Sequence, residues 1–485
     1  MRKGLIVVLT AVLVVAFAVP AMADLKVSGF YRTKAMLSNF FDGRSKPSLR
    51  TDAEEQTNSY NEQRARIKFE IGTADVKAVF QFESDMNWGV ASGEANRNSG
   101  GALSADSVQL ETKNVYVWFK IPDTSITASV GQQPFNDHYA GVFSNAADFT
   151  SIQVKGTLEP VKWTLAWGKL YETTPSATSA DGYNKADDVD IYVAAVEFTP
   201  AKDMSLGLNF YALQDRQGNG GGENAWGPWA ADYNKVIGDD TLSGYDVTVY
   251  MPGVNFAMNA GAVKLSAFAF YQFGKAESVN PANDFDINGY MLDIRADVKV
   301  GPGKAFVEGF YISGGDDAKD YESPTFLGDY QRSGFGTGGN SGFGRTNMYF
   351  LFGADSLNVS QCLIGCSGGE AGDSFGNGGR GLMHLAAGYS QKFTDKLQGA
   401  VNIGTLYAVK LNNTLDKDLT YIRNERDKDM GTEINVKVDY EIQKKLTFSL
   451  VGGYMLLGDF FQTAPGDDEF NDAYYMGYAK LAYSF

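Results

Sequence analysis

The sequence predicts an all-β chain folded as a transmembrane antiparallel β-barrel of about eighteen strands. Three observations carry that prediction. Segments of membrane-spanning length alternate apolar and polar residues, the closing residues 473–485 do so with aromatics at both ends, and beyond the first twenty residues no apolar run is long enough for a spanning helix. Only helices and closed barrels satisfy every backbone polar group in hydrocarbon, so a membrane chain lacking such helices has to close into a barrel.

At the start of the chain, Arg2 and Lys3 precede an apolar run from Gly4 to Val19, then Pro20 and the small-x-small triplet Ala21-Met22-Ala23. This is the layout of a signal peptide cleaved after Ala23, and the apolar run is shorter than the ~20 residues a spanning helix needs. The expected organisation is a cleaved signal over 1–23 and one barrel over 24–485, carrying a long loop at 315–380. No Pro/Ser-rich linker divides the 485 residues, so one large repetitive unit is the simplest account of the length. Aromatics at 13%, 55 glycines and only 13 prolines suit interfacial girdles and many tight turns. Loss of Arg2 and Lys3 would take the formal charge from −16 to −18, a balance that argues against nucleic-acid partners, whose phosphates require a basic face.

The clearest strands set inside apart from outside. Over 290–300, Tyr290, Leu292, Ile294, Ala296, Val298 and Val300 alternate with Met291, Asp293, Arg295, Asp297 and Lys299. Ile434, Val436, Val438, Tyr440 and Ile442 alternate with Glu433, Asn435, Lys437, Asp439 and Glu441, and Val76, Ala78, Phe80 and Phe82 with Asp75, Lys77, Gln81 and Glu83. In the last strand Tyr475, Gly477, Ala479, Leu481, Tyr483 and Phe485 share one face. Soluble sandwiches also alternate, but their strands average roughly five to six residues, against about nine to eleven for a tilted membrane strand.

Short turn signals fall at 72–74, 122–123, 159–160, 200–202, 301–303, 394–395 and 443–444, with a longer one from Pro252 to Gly261. Long polar or Gly-rich stretches lie between them, near 37–58, 87–108, 135–147, 172–186, 214–240, 274–287, 315–380, 410–429 and 458–471. Nine outer loops and eight inner turns make eighteen strands; sixteen results if the weaker patterns at 148–158 and 381–392 are loop. A barrel of sixteen to eighteen strands leaves an aqueous channel where eight would fill with side chains.

The terminal Tyr483-Ser484-Phe485 and the stretch Ile126-Thr127-Ala128-Ser129-Val130-Gly131-Gln132-Gln133-Pro134-Phe135 resemble the Gram-negative outer-membrane porin superfamily, in its trimeric diffusion-porin type. The second stretch looks like the strand entering the third loop of those porins, which folds inward and narrows the pore. It departs from them in having Gln132 where the family has Arg, and in a rather short loop at 135–147. The resemblance implies passive diffusion of small hydrophilic solutes and ions, and an outer-membrane location amid lipid and lipopolysaccharide. It also implies a homotrimer, and recognition of Phe485 by the barrel-assembly machinery.

An inward basic ladder of Lys26, Arg32, Lys34, Arg64, Arg66, Lys68 and Lys77, facing Asp137, His138 and Asp148 of the third loop, is the candidate constriction. Opposite charges across a narrow passage select permeants by charge and dipole. The competing reading is that these cations neutralise Glu62, Glu70, Asp75, Glu83 and Asp85 within a hydrated wall. Tyr116, Trp118 and Tyr211 occupy lumen positions, where wall packing is a simpler reading than a sugar slide. Cys362 and Cys366 in the seventh loop are a candidate disulfide, and no metal site or cofactor is expected. With His138 and His384 the only histidines, and Asp137 adjoining His138 on an extended strand, an enzyme is not expected. Alternatives are a substrate-specific anion or sugar porin, the barrel sheath of a porin–cytochrome conduit, and a receptor plugged by 315–380.

Overall fold

A computed structural model describes residues 24–41, 57–91, 100–104, 110–171, 188–216, 245–278, 281, 284–315, 320–324, 326, 344–355, 362–364, 379–411, 427–461 and 473–485. The expected signal peptide, residues 1–23, and Cys366 lie outside the described residues. In chain order the strands are β1 (Asp24–Ser38), β2 (Asn58–Gly72), β3 (Val76–Asn87), β4 (Leu110–Lys120), β5 (Thr127–Asn136) and β6 (Asn145–Leu158). Next come β7 (Val161–Tyr171), β8 (Val189–Ala201), β9 (Met204–Asp215), β10 (Tyr245–Ala260), β11 (Val263–Ser278), β12 (Phe285–Val300) and β13 (Gly303–Ile312). A two-residue strand, β14 (Asp320–Tyr321), is followed by β15 (Leu382–Lys392), β16 (Leu397–Ala408), β17 (Asp429–Gln443), β18 (Leu446–Leu457) and β19 (Ala473–Ser484).

Each long strand pairs antiparallel with its chain neighbours, β13 with β15 included, and β1 also pairs with β19, with Phe30 opposite Ser484. The ring is sealed by mutual backbone bonds, Gly29 N–H to Phe485 O at 3.2 Å and Phe485 N–H to Gly29 O at 3.0 Å. Among the described residues eighteen long strands therefore form a closed barrel without an edge, and β14 stands apart, pairing parallel with Asp286 and Ile287 of β12. Closure matters because an open edge would leave unpaired N–H and C=O groups in lipid.

The alternation falls as the sequence demands. Leu292 is 49% exposed on the outer face while Asp293 beside it is 4% exposed inside, and Val436 and Asn435 divide 52% to 1%. Tyr475, Tyr483 and Phe485 face out from β19, whereas Tyr474, Met476 and Tyr478 are buried inside. Short turns and both ends of the barrel chain lie at one rim, the longer connections at the other. The two weak patterns are both strands, β6 and β15, which settles the count at eighteen rather than sixteen.

One expected turn is misplaced. Pro252 and Gly253 lie within β10, and the chain reverses at 261–262. Proline lacks an N–H and disfavours a strand interior, but here the ladder to β11 is interrupted, running from Tyr250↔Phe273 directly to Gly253↔Phe270. The donor that Pro252 cannot supply falls in that gap. The expected loop at 274–287 is also shorter, because β11 continues to Ser278 and β12 begins at Phe285.

Candidate functional site

Among the described residues, the connecting segments 137–144 and 344–355 fold into the barrel. The third connection spans only 137–144, because β6 already begins at Asn145. It is organised by Asp137, whose Oδ1 accepts the backbone N–H groups of Tyr139 (2.8 Å) and Gly141 (2.7 Å), and whose Oδ2 accepts those of Phe143 (2.6 Å) and Ser144 (2.7 Å). Burial pushes the Asp137 carboxyl up to about 6, against the pull of those four donors. The turn projects Tyr139 and Phe143 onto the inner wall. Tyr139 lies 5.4, 5.7 and 5.0 Å from the rings of Tyr211, Phe268 and Phe270, and Phe143 is 5.3 Å from Tyr211. Gly253 makes this seat possible, since a Cβ there would collide with the Tyr139 hydroxyl. His138 Nδ1 sits 2.7 Å from Tyr211 Oη.

These contacts correct the expected constriction. Asp137 is not a carboxylate presented to the ladder, because its oxygens are spent on the turn's own backbone. His138 partners Tyr211. Asp148 belongs to the β6 wall rather than to the loop, and it accepts from Asn114 (2.6 Å) and pairs with Lys113 (3.0 Å). Tyr211 is buried in the aromatic cluster under the loop, and Trp118 lies beneath the Lys77 ammonium at 5.2 Å, so both pack in the wall.

The basic ladder occupies the inner faces of β1 to β3 and is paired with acids on the same wall. Arg64 grips Asp85 through two bonds of 2.6 Å, and Arg66 binds Glu83. Glu70 takes Lys68 at 2.9 Å and Lys77 at 3.1 Å, and Lys34 lies 3.6 Å from Glu62. Lys26 stands across from Glu70 in register, and Arg32 across from Arg64. Lys113 extends the chain of charges from Glu83 (3.8 Å) to Asp148. The ion pairs at Arg64, Arg66, Lys68, Lys77 and Lys34 fit neutralisation within the wall, whereas Arg32 faces Arg64.

What the sequence did not disclose is the part played by the connection between β13 and β15. Its residues 344–355 run through the lumen, fixed at three stations. Arg345 reaches Asp293 of β12 (3.3 Å) and Glu308 of β13 (2.9 Å). Glu433 of β17 accepts the N–H groups of Tyr349, Phe350 and Leu351 at 2.7, 2.9 and 3.1 Å, taking up the orphan donors of the one-turn helix Tyr349–Phe352 where the helix dipole favours negative charge. Asp355 pairs with Lys480 of β19 (2.7 Å), accepts from Tyr478 (2.6 Å), and its carbonyl accepts from Lys34 of β1 (2.6 Å). Burial would raise the Asp355 carboxyl, but the Lys34 and Lys480 ammoniums overcome that and hold it well below the usual carboxylate range. Phe350 stacks on Phe41 at 5.4 Å, and Phe352 meets His384 edge-on at 4.9 Å, which places His384 in packing. The available signal was the apolar run Met348 to Phe352 inside a Gly-rich loop. Cys362 is buried and disulfide-bonded; its candidate partner Cys366 lies outside the described residues.

An apolar outer band, a charged inner wall and two loops lodged within define the fold as that of a transmembrane channel barrel. No family model and no curated protein matches the sequence. Solved structures do. The outer-membrane protein opdK from Pseudomonas aeruginosa aligns with a TM-score of 0.50 at 11% identity, covering 95% of this chain and 98% of that one. OccK8 (OprE) and OccK2 (OpdF) of the same organism give 0.50 with the same coverage, at 11% and 10% identity. The chain shares their fold.

Proposed function

We propose that this chain is an outer-membrane channel passing small hydrophilic solutes and ions by diffusion through the lumen. The observation that carries this reading is the closed ring of eighteen strands with apolar residues outside and paired charges inside, a size at which barrels enclose water. The lodged segments 137–144 and 344–355 favour a solute-selective channel over a wide general pore, because they replace water in the lumen with fixed side chains. A cytochrome sheath would need that space free of the chain's own residues. The same reading includes export with cleavage after Ala23, assembly through Phe485, a homotrimer, and conduction without catalysis.

Purified protein in a planar bilayer should give discrete conductance steps, and absence of steps from correctly folded protein would overturn the proposal. Arg64→Gln with Arg66→Gln removes two fixed positive charges beside Asp85 and Glu83, so the reversal potential should move toward cations, most clearly at low salt. An unchanged reversal potential would place the selective passage elsewhere.

A further inference from the structure

Resting on the channel reading, we infer that Lys155, on the inner face of β6 below the third connection, sets an anion preference for the passage, because its ammonium is a fixed charge in lumen water without a bonded acid. Ser151 and Gln153 are buried inside the barrel while Ile152 between them is 40% exposed on the outer face, so Lys155, in step with the first two, points inward. Unlike them it is exposed, which puts its side chain in the aqueous part of the lumen. Across the ladders it stands beside Thr127 of β5 and Thr164 of β7, neither of them an acid. Among the described residues no carboxylate pairs with it.

The acids nearby are engaged elsewhere. Glu197 of β8 lies 3.7 Å from Lys162 of β7, and the Asp137 carboxylate is taken up by four backbone N–H groups. Burial, and after it the Lys155 ammonium, hold the His138 ring below its usual titration range against the weaker pull of Glu197. The ring therefore adds no charge at neutral pH, while the charge of Lys155 is felt as far as the third connection. In the ladder, by contrast, Arg64 with Asp85 and Arg66 with Glu83 offset one another at bonding distance. The charge of Lys155 is offset only by mobile ions, over a screening length of about 8 Å at physiological salt, and it draws anions into the passage at that point.

Bilayer recordings on the full chain across a potassium chloride gradient test this. Lys155→Gln should lower the chloride-to-potassium permeability ratio by about twofold or more, most at low salt, with conductance steps retained. Lys155→Arg keeps the charge and should keep the parental ratio. Removal of a bonded pair elsewhere in the wall, Lys437→Gln with Asp439→Asn, leaves the net charge unaltered and should also leave the ratio parental. A parental ratio in Lys155→Gln, or an equal fall in Lys155→Arg or in the double variant, would overturn the inference while leaving the channel reading intact; a parent that never conducts would overturn the channel reading itself. Should Lys155→Gln fail to assemble, Lys155→Thr, which matches Thr127 and Thr164 beside it, has to lower the ratio in its place.

Discussion

The third and seventh connections both enter the lumen, yet they are held there by different physics. The third is bound by itself and by neutral contacts with the wall: Asp137 closes the turn on its own backbone, His138 bonds the Tyr211 hydroxyl, and Tyr139 fills a cleft among three aromatic rings above Gly253. Its position costs nothing from the charges of the wall. The segment 344–355 borrows wall charges at each station, Asp293 and Glu308, then Glu433, then Lys34 and Lys480. Packing of the first kind does not depend on charge, whereas ionic anchoring is loosened by any change that alters a charge.

The contrast is breakable by experiment. The largest effect belongs to Tyr139→Ala, which empties a fully buried site and should cost roughly 3–5 kcal/mol of folding stability, read as a lowered urea midpoint in lipid vesicles. If Asp355→Asn costs as much, the two connections are not held differently. Leu292→Arg provides a scale, with about 2–4 kcal/mol expected at the bilayer midplane. The adjacent Asp293→Asn should assemble with parental heat-modifiable mobility and alter only conductance, through Arg345. Equal folding defects at 292 and 293 would overturn the assignment of faces.

A smaller loss, about 1–3 kcal/mol, is expected of Glu433→Gln, because an amide accepts from the helix N–H groups less well than a carboxylate and brings donors of its own. Thermal melts in detergent would measure it, and no loss would mean that aromatic packing alone seats the helix. The smallest effect concerns pH. Burial gives Asp137 a folded value of about 6, above its unfolded one near 3.8, so the folded state binds the proton more tightly and this group favours folding increasingly as pH falls from 7 toward 4. Asp355 is displaced the other way. Its stabilising contribution is complete above the unfolded value and is lost only as pH falls below it. Between pH 7 and 5, Asp137→Asn should thus flatten part of the stability profile, whereas Asp355→Asn should shift it without changing its slope. The reverse pattern in urea midpoints at pH 7, 6 and 5 would contradict both assignments.

Much of this molecule is written in its sequence, and the reason is the membrane. Lipid outside and water inside impose a period of two at each spanning strand, so Leu292 against Asp293 or Val436 against Asn435 declares its face without knowledge of any neighbour. Strand number followed from turn residues for the same reason; the turn expected from Pro252 lies instead at 261–262, and Gly253 serves the packing of a loop five strands away, where a Cβ would meet the Tyr139 hydroxyl. The ladder residues were legible as inward cations, but not as members of particular pairs, because pairing depends on the register between strands. What tertiary structure alone decided is the interior. Nothing local in Asp137 shows that it will bind its own turn, and nothing in Arg345, Asp355 or Glu433 shows that a loop and a wall distant in sequence will meet. Such contacts are fixed by where the closed ring brings its connections, a property of the whole barrel rather than of any strand.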